Sequence, residues 1–243
     1  DDIAKKYGVK AYIVDSVSTD EFEPVARISG YPKIERICRA HILNLRAVAR
    51  KAASELGKNL EDTNFVGLHM GGGISVVALK NGKFVDVNNA LLGEGPFSPQ
   101  RAGTLPLQGV IDMAYSGEYT KEQLKKEYTK KSGLMGYLGT DDLREVERRI
   151  ENGDEKARLI LDAMVYQIAK WTGAMATVMC GKIDGVLITG GMARSKMLVD
   201  KLKERIEFLG KLFIYPGQFE MQALVDGVLR VLKGEEQAKT YSY

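Results

Sequence analysis

The sequence predicts an α/β lobe, a mixed sheet flanked by helices, and three observations carry that prediction. Residues 65–87 hold three short β-rich runs joined by tight-turn signals. Residues 154–180 carry an apolar stripe at helical spacing. A buried-type strand at 185–189 then passes through paired glycines into a helix, and a further strand follows.

Taken in order, Ile3 to Tyr7 reads as helix and Ala11-Tyr12-Ile13-Val14 as a strand ending at Asp15. Ser16 to Gly30 is polar and contains Pro24, so it reads as a connection or a short helix. From Pro32 to Leu56 the apolar residues Ile37, Ala40, Leu43, Ala47 and Val48 recur at helical spacing, which predicts one long helix stopped by Gly57. Phe65–Met70, Ile74–Leu79 and Lys83–Val87 are three strands of an antiparallel meander, with Gly71-Gly72-Gly73 in the first turn and Asn81-Gly82 in the second. Asn88 to Leu107, with Pro96, Pro99, Pro106 and glycines at 93, 95 and 103, has no periodicity and reads as a long functional loop. Helices follow at Val110–Tyr115, Lys121–Lys126 and Asp142–Glu151, the last capped by Asp141. The clearest helix spans 154–180, where Ala157, Ile160, Leu161, Met164, Ile168, Trp171 and Met175 form one stripe, a core pattern ended by Gly181. Strand Gly185–Thr189, helix Ser195–Phe208, strand Leu212–Tyr215 and helix Glu220–Leu232, stopped by Gly234, complete the chain.

Composition excludes several classes. Charged residues are 28% and hydrophobic ones 44%, ordinary values for a globular protein. No apolar run approaches the roughly 20 residues of a membrane span, so a soluble protein without a membrane partner is expected. The 35 basic and 32 acidic residues are interspersed, and a net charge of +3 builds no one-sided field for nucleic acid. Cys38 and Cys180 have no metal-type spacing and no secretory leader precedes them, which suits a reducing cytoplasm. The chain opens on Asp1-Asp2 without methionine, so it is expected to be cut from something longer.

Two glycine elements suggest phosphate chemistry. Gly71-Gly72-Gly73 lies between two strands, so neither the dinucleotide fingerprint nor the P-loop applies. Without Cβ atoms, and with positive φ allowed, its main-chain N–H groups can approach an anion. The bland reading is a hairpin turn with no ligand. Thr189-Gly190-Gly191-Met192 joins a strand to a helix, where N-terminal amides favour a nucleotide. Its bland reading is tight strand–helix packing.

In their order of meander, helices and strand-Gly-Gly-helix, these elements match the superfamily of acetate kinase, sugar kinases, Hsp70 and actin, which implies an RNase-H-like lobe. Three segments then resemble butyrate kinases within the acetate kinase family. They are His69-Met70-Gly71-Gly72-Gly73-Ile74-Ser75, Asp86-Val87-Asn88-Asn89-Ala90-Leu91, and Gly95-Pro96-Phe97-Ser98-Pro99-Gln100-Arg101-Ala102-Gly103-Thr104-Leu105-Pro106. The resemblance continues through Tyr137–Asp142, Tyr166–Trp171, Leu187–Gly191 and Tyr215-Pro216-Gly217. It implies reversible transfer of the ATP γ-phosphoryl group to a short-chain carboxylate, giving an acyl phosphate, with Mg²⁺ and ATP/ADP, in a homodimer or larger assembly.

Residue by residue, the resemblance assigns Arg101 to the transferring phosphoryl group and Asp15 to an active-site carboxylate near the metal. Glu220 matches a glutamate associated with Mg²⁺, and His41 a histidine that helps hold the phosphoryl group. His69, Gly71, Gly72, Gly73, Gly190, Gly191 and Met192 fall to the nucleotide. Glycine at 72 fits butyrate rather than acetate kinases, whereas Ser16, Leu92, Gln100 and Phe219 depart from the butyrate kinase pattern. Each assignment has a bland counterpart: a solvated loop arginine, a strand-end acid, a helix-start glutamate satisfied by the dipole, or a packed histidine. The family's first lobe, with its own phosphate loop and a second arginine, is missing from the sequence. Residues 1–15 therefore read as a stub of that lobe, 16–220 as the nucleotide-binding second lobe, and 221–243 as a tail leading back to the first. Two alternatives accompany this reading: a non-catalytic nucleotide-binding or dimerisation lobe, and a kinase for acetate, propionate or a branched acid.

Overall fold

The computed structural model describes residues 2–240; Asp1 and Tyr241–Tyr243, the outer ends of the expected stub and tail, lie outside the described residues. Helices α1 (Asp2–Tyr7) and α2 (Pro24–Arg27) precede α3 (Ile42–Glu55). Strands β1 (Asn64–Met70), β2 (Ile74–Lys80) and β3 (Lys83–Val87) follow, then α4 (Leu107–Tyr115), α5 (Lys121–Lys130), α6 (Gly133–Leu138), α7 (Leu143–Glu151) and α8 (Glu155–Val178). Strand β4 (Gly185–Gly190), helix α9 (Lys196–Ile206), strand β5 (Leu212–Pro216) and helix α10 (Glu220–Leu232) complete the order.

The five strands form one mixed sheet in the order β3-β2-β1-β4-β5. The β1–β2 and β2–β3 pairs are antiparallel, as the meander requires, and β4 and β5 add to β1 in parallel. Asn81 and Gly82 take φ of 51° and 73°, the left-handed pair that a two-residue hairpin turn needs. Both faces of the sheet are covered. Val66, Leu68 and Val76 meet Leu161, Met164 and Ile168 of α8 on one face. Phe65, Val77, Leu79 and Leu187 meet Leu45, Val48 and Ala52 of α3 on the other. Burial on both faces explains why β1, β2 and β4 read as nearly continuous apolar runs rather than alternating ones. The 154–180 stripe is core, and α8 starts at Asp154, whose side chain accepts from the Ala157 N–H at 2.9 Å.

Four local expectations are corrected. Residues 11–14 form no strand: Ile13 is 91% exposed and Val14 lies against Gly227 of α10. A β-prone tetrapeptide becomes a strand only beside another that takes up its backbone groups. Second, the helix expected from Pro32 begins only at Ile42. Backbone groups before it are used by other segments, the Arg36 N–H donating to Arg27 O and Arg39 O accepting from the Ala90 N–H. His41 therefore stands at the helix entrance rather than inside it. Third, Asp142, not Asp141, caps α7, while Asp141 accepts from Gln100. Fourth, Gly133–Leu138 adds a short helix to a stretch with no periodic signal. No helix among the described residues is long and apolar enough to cross a membrane.

Candidate functional site

Because β1 and β4 are parallel neighbours, with His69 paired to Thr189, their following turns emerge at the same sheet end. The carboxyl ends of parallel strands are where α/β sheets hold ligands. Between the turns lies a cleft of about 640 Å³ whose lining includes Gly71, Gly72, Pro99, Asp141, Gly191 and Met192. That volume falls in the range of small-molecule sites.

The glycines of the cleft do different jobs. Gly71 to Gly73 do not adopt positive φ; what matters there is the missing Cβ. At Gly72 a Cβ would meet open space, whereas at Gly73 it would collide with the Arg101 guanidinium. Gly190 takes φ of 93°, and a Cβ there would sit 2.7 Å from the Met70 backbone nitrogen. Gly190 also exchanges two 3.0 Å backbone hydrogen bonds with Gly217. Its bland role, close strand packing, is real whatever else binds. After Gly190 a 3-10 turn, Gly191–Arg194, intervenes before α9, whose first turn is capped by Ser195 accepting from the Leu198 N–H at 2.9 Å. The residues of this segment that line the cleft, Gly191, Met192, Arg194 and Ser195, therefore precede the helix.

The long loop is fastened over the glycine run. Asn88 accepts from the Val76 N–H at 2.6 Å and donates to Ile74 O at 3.0 Å, occupying backbone groups of β2. Ser98 Oγ donates to Gly72 O at 2.7 Å and accepts from the Arg101 N–H at 3.2 Å. The Arg101 guanidinium donates to Ala90 O, but its Nε is buried without a protein partner. Burial lowers the Arg101 pKa, although a guanidinium keeps its charge regardless. A half-buried cation with an unused donor suits an anion.

The two histidines of the chain stack, with ring centroids 3.9 Å apart and planes 8° from parallel. His41 Nδ1 lies 2.9 Å from Ser75 Oγ, and His69 Nδ1 lies 2.8 Å from the side-chain nitrogen of Asn44. Burial, and then the charge of Arg101, lowers the His41 pKa. Burial, and then His41, pushes His69 down to about 3. Both rings are thus neutral at physiological pH. Unfolding restores an ordinary pKa near 6.5, so the unfolded chain binds more protons and stability falls as pH drops through that value. Thermal melts taken from about pH 8 down to about pH 5 should show a declining Tm whose slope shrinks in His69→Gln. A flat profile would contradict the buried neutral pair.

The structure thus gathers His41, His69 and Arg101 around Gly71, Gly72 and Gly73, and of the predicted residues Gly71, Gly72, Gly191 and Met192 line the cleft. Arg101 lines a different pocket of about 270 Å³ with Asn88, Ala90 and Ser98, and Gly190 packs on the Met70 backbone. The structure does not bring Asp15 and Glu220 into one site. Asp15, at φ 43° and following no strand, forms an ion pair with Arg46 Nε at 2.8 Å. It lines a separate pocket of about 310 Å³ with Arg50, Asp226 and Arg230, which Glu220 does not line. Burial raises the Asp15 pKa, against the lowering pull of Arg46 and Arg50. A carboxylate committed to an arginine, beside two more, does not fit a divalent cation. Glu220 is exposed at the start of α10, and no cluster of three or more His, Cys, Asp or Glu exists among the described residues. Sequence reasoning missed Asn44, Ser75 and Ser98; the one local signal was a poor helix former, Asn44, within an amphipathic helix.

A family model described as the Acetokinase family matches residues 36–216, a span holding both glycine turns, His41, His69 and Arg101 but neither Asp15 nor Glu220. Among solved structures, the acetate kinase of Porphyromonas gingivalis is similar at TM-score 0.77 and 25% identity, over 88% of this chain and 62% of that one. A propionate kinase from Francisella tularensis subsp. tularensis SCHU S4 follows at TM-score 0.72 and 19% identity, over 84% and 60%. The acetate kinase of Entamoeba histolytica is similar at TM-score 0.74 and 20% identity, over 85% and 62%. The latter two likenesses speak for the fold alone. The chain spans about three fifths of the length of each of these proteins.

Proposed function

Since this chain belongs to the acetokinase family, we propose that it is the nucleotide-binding lobe of an ATP-dependent carboxylate kinase, with butyrate or a related short-chain acid as acceptor. In that reaction a carboxylate oxygen attacks the γ-phosphorus, the bond to the bridging oxygen of ADP breaks, and an acyl phosphate forms. The observation that supports the reading most is the shared cleft: two glycine turns about 120 residues apart in the sequence face one cavity.

On this reading the amides around Gly71, Gly72, Gly191 and Met192 hold nucleotide phosphates, and Arg101 stabilises the transferring group. His41 and His69 act as neutral hydrogen-bond donors. Residues 16–220 form the lobe, and the segments on either side lead toward a second wall. ATP and Mg²⁺ are proposed ligands of the whole protein. Asp15 and Glu220 are not arranged as a shared magnesium site. A homodimer in the cytoplasm is proposed with it, and size-exclusion chromatography tests the first of these.

Trapping with hydroxylamine tests the chemistry: ATP, Mg²⁺ and butyrate, isobutyrate, propionate or acetate should yield acyl hydroxamate. A second reading, a lobe that binds nucleotide without catalysing, is favoured by the Asp15–Arg46 pair, which commits that carboxylate to an arginine. Bound ADP without hydroxamate would select it. Gly72→Leu separates site from scaffold, because a side chain there enters open cleft. ADP affinity measured calorimetrically should fall about tenfold or more, equivalent to roughly 1.4 kcal/mol, with Tm unchanged. Unaltered affinity would remove the glycine run from the site.

A further inference from the structure

Asn44 is fully buried near the start of α3 and touches three other elements. Its Oδ1 accepts from the Phe219 N–H at 2.9 Å, just before α10. A backbone N–H is a donor only, so this contact identifies which amide atom is the oxygen. The other atom is therefore the NH₂ group, which donates to Thr189 Oγ1 at 3.2 Å and lies 2.8 Å from His69 Nδ1. Thr189 in turn passes its hydroxyl proton to Gly217 O at 3.2 Å. Every polar atom of Asn44 is then used, and His69 Nδ1 has no choice but to accept.

We propose that Asn44 is a positioning residue that locks His69 in the tautomer carrying its proton on Nε2 and aims that N–H at the glycine turn. The Nε2 atom lies 3.7 Å from where a Gly71 Cβ would stand, at the entrance of the run. Had Nδ1 carried the proton, it would face the Asn44 NH₂ donor to donor, and Nε2 would offer a lone pair to any anion. The tautomer thus decides whether this corner attracts a phosphate oxygen or repels it. Two further links follow. Through Thr189 the same amide ties β1 to the residue before Gly190, and through Phe219 it ties both to the entrance of α10. One side chain thereby holds the two sides of the cleft in register. That the acceptor of the N–H is a phosphate rests on the nucleotide reading above; the tautomer does not.

With only two histidines in the chain, two-bond proton–nitrogen correlation spectra of ¹⁵N-labelled protein can resolve both rings, and His41→Asn assigns them. His69 should show a protonated Nε2 and a bare Nδ1, unchanged from about pH 5 to about pH 8. The titratable and charged groups bearing on this ring are His41, stacked on its face from the start of α3, and Arg101 behind His41. Asn44→Asp replaces the donor by an acceptor, so Nδ1 should become protonated and the ring should begin to titrate inside that window. A wild-type His69 with its proton on Nδ1, or a folded Asn44→Asp protein with an unchanged pattern, overturns the proposal. Should Asn44→Asp fail to fold, the wild-type spectrum still decides. ADP provides the second arm. If the expected tautomer is present but saturating ADP moves neither its Nε2–H nor the Gly71 amide, the nucleotide reading fails and the lock stands. A reversed tautomer in a protein that binds ADP has the opposite meaning.

Discussion

Gly190→Val is expected to destabilise the protein by about 3 kcal/mol or more, from backbone strain and overpacking together. The backbone at Gly190 lies at φ 93°, where a β-branched residue is strained. The added Cβ would also press on the Met70 backbone, at 2.7 Å from its nitrogen, and that backbone is the centre strand of the sheet. That backbone cannot move aside as a flexible side chain would. For a chain of this length the loss corresponds to a fall in Tm of roughly 6–12 °C, readable also as a lower midpoint in urea with the same slope. An unchanged midpoint would mean that β1 and β4 are not packed as described. The result also bears on how nucleotide data are read: weaker binding in this variant reports the scaffold, which is why Gly72→Leu is the informative change in the site.

The second large effect is expected at Arg101. If its guanidinium meets charge that develops on the transferring phosphoryl group, Arg101→Ala should lower the rate of hydroxamate formation by about 10²–10³. ADP affinity should change little, because an interaction made only in the transition state leaves ground-state binding alone. Arg101→Lys keeps the charge but not the planar fork. The fork donates to Ala90 O and packs against the Gly73 backbone, so lysine should recover only part of the rate. Equal losses in rate and ADP affinity for Arg101→Ala would assign the arginine to loop anchoring, the bland role.

Much of this was legible locally. The Asn81-Gly82 hairpin, the β1–β2–β3 meander, the α8 stripe and the β4 run all follow from turn chemistry and periodicity within a few residues. Arg101, His41 and His69 were singled out by resemblance, and the structure gathers them around the glycine run. The strand expected at 11–14 failed because a strand is defined by a partner that the local sequence does not contain. The helix expected from Pro32 failed because Arg36 and Arg39 direct their backbone groups to distant segments. Asp15 and Glu220 could be marked as carboxylates, yet only the fold reveals that Arg46 holds the first.

By itself, then, the sequence determined which segments are helix or strand wherever the determining interactions lie within a turn or two, and it marked the glycines as positions where a backbone must be approached. Tertiary structure decided what approaches them. At Gly73 it is Arg101, at Gly190 it is β1, and at Gly72 it is open space. These outcomes depend on the parallel pairing of β1 with β4 and on the buried Asn44 network, contacts between residues 25 to 175 positions apart. Their formation depends on loop closure and the burial of two cores, quantities that no local window of sequence contains.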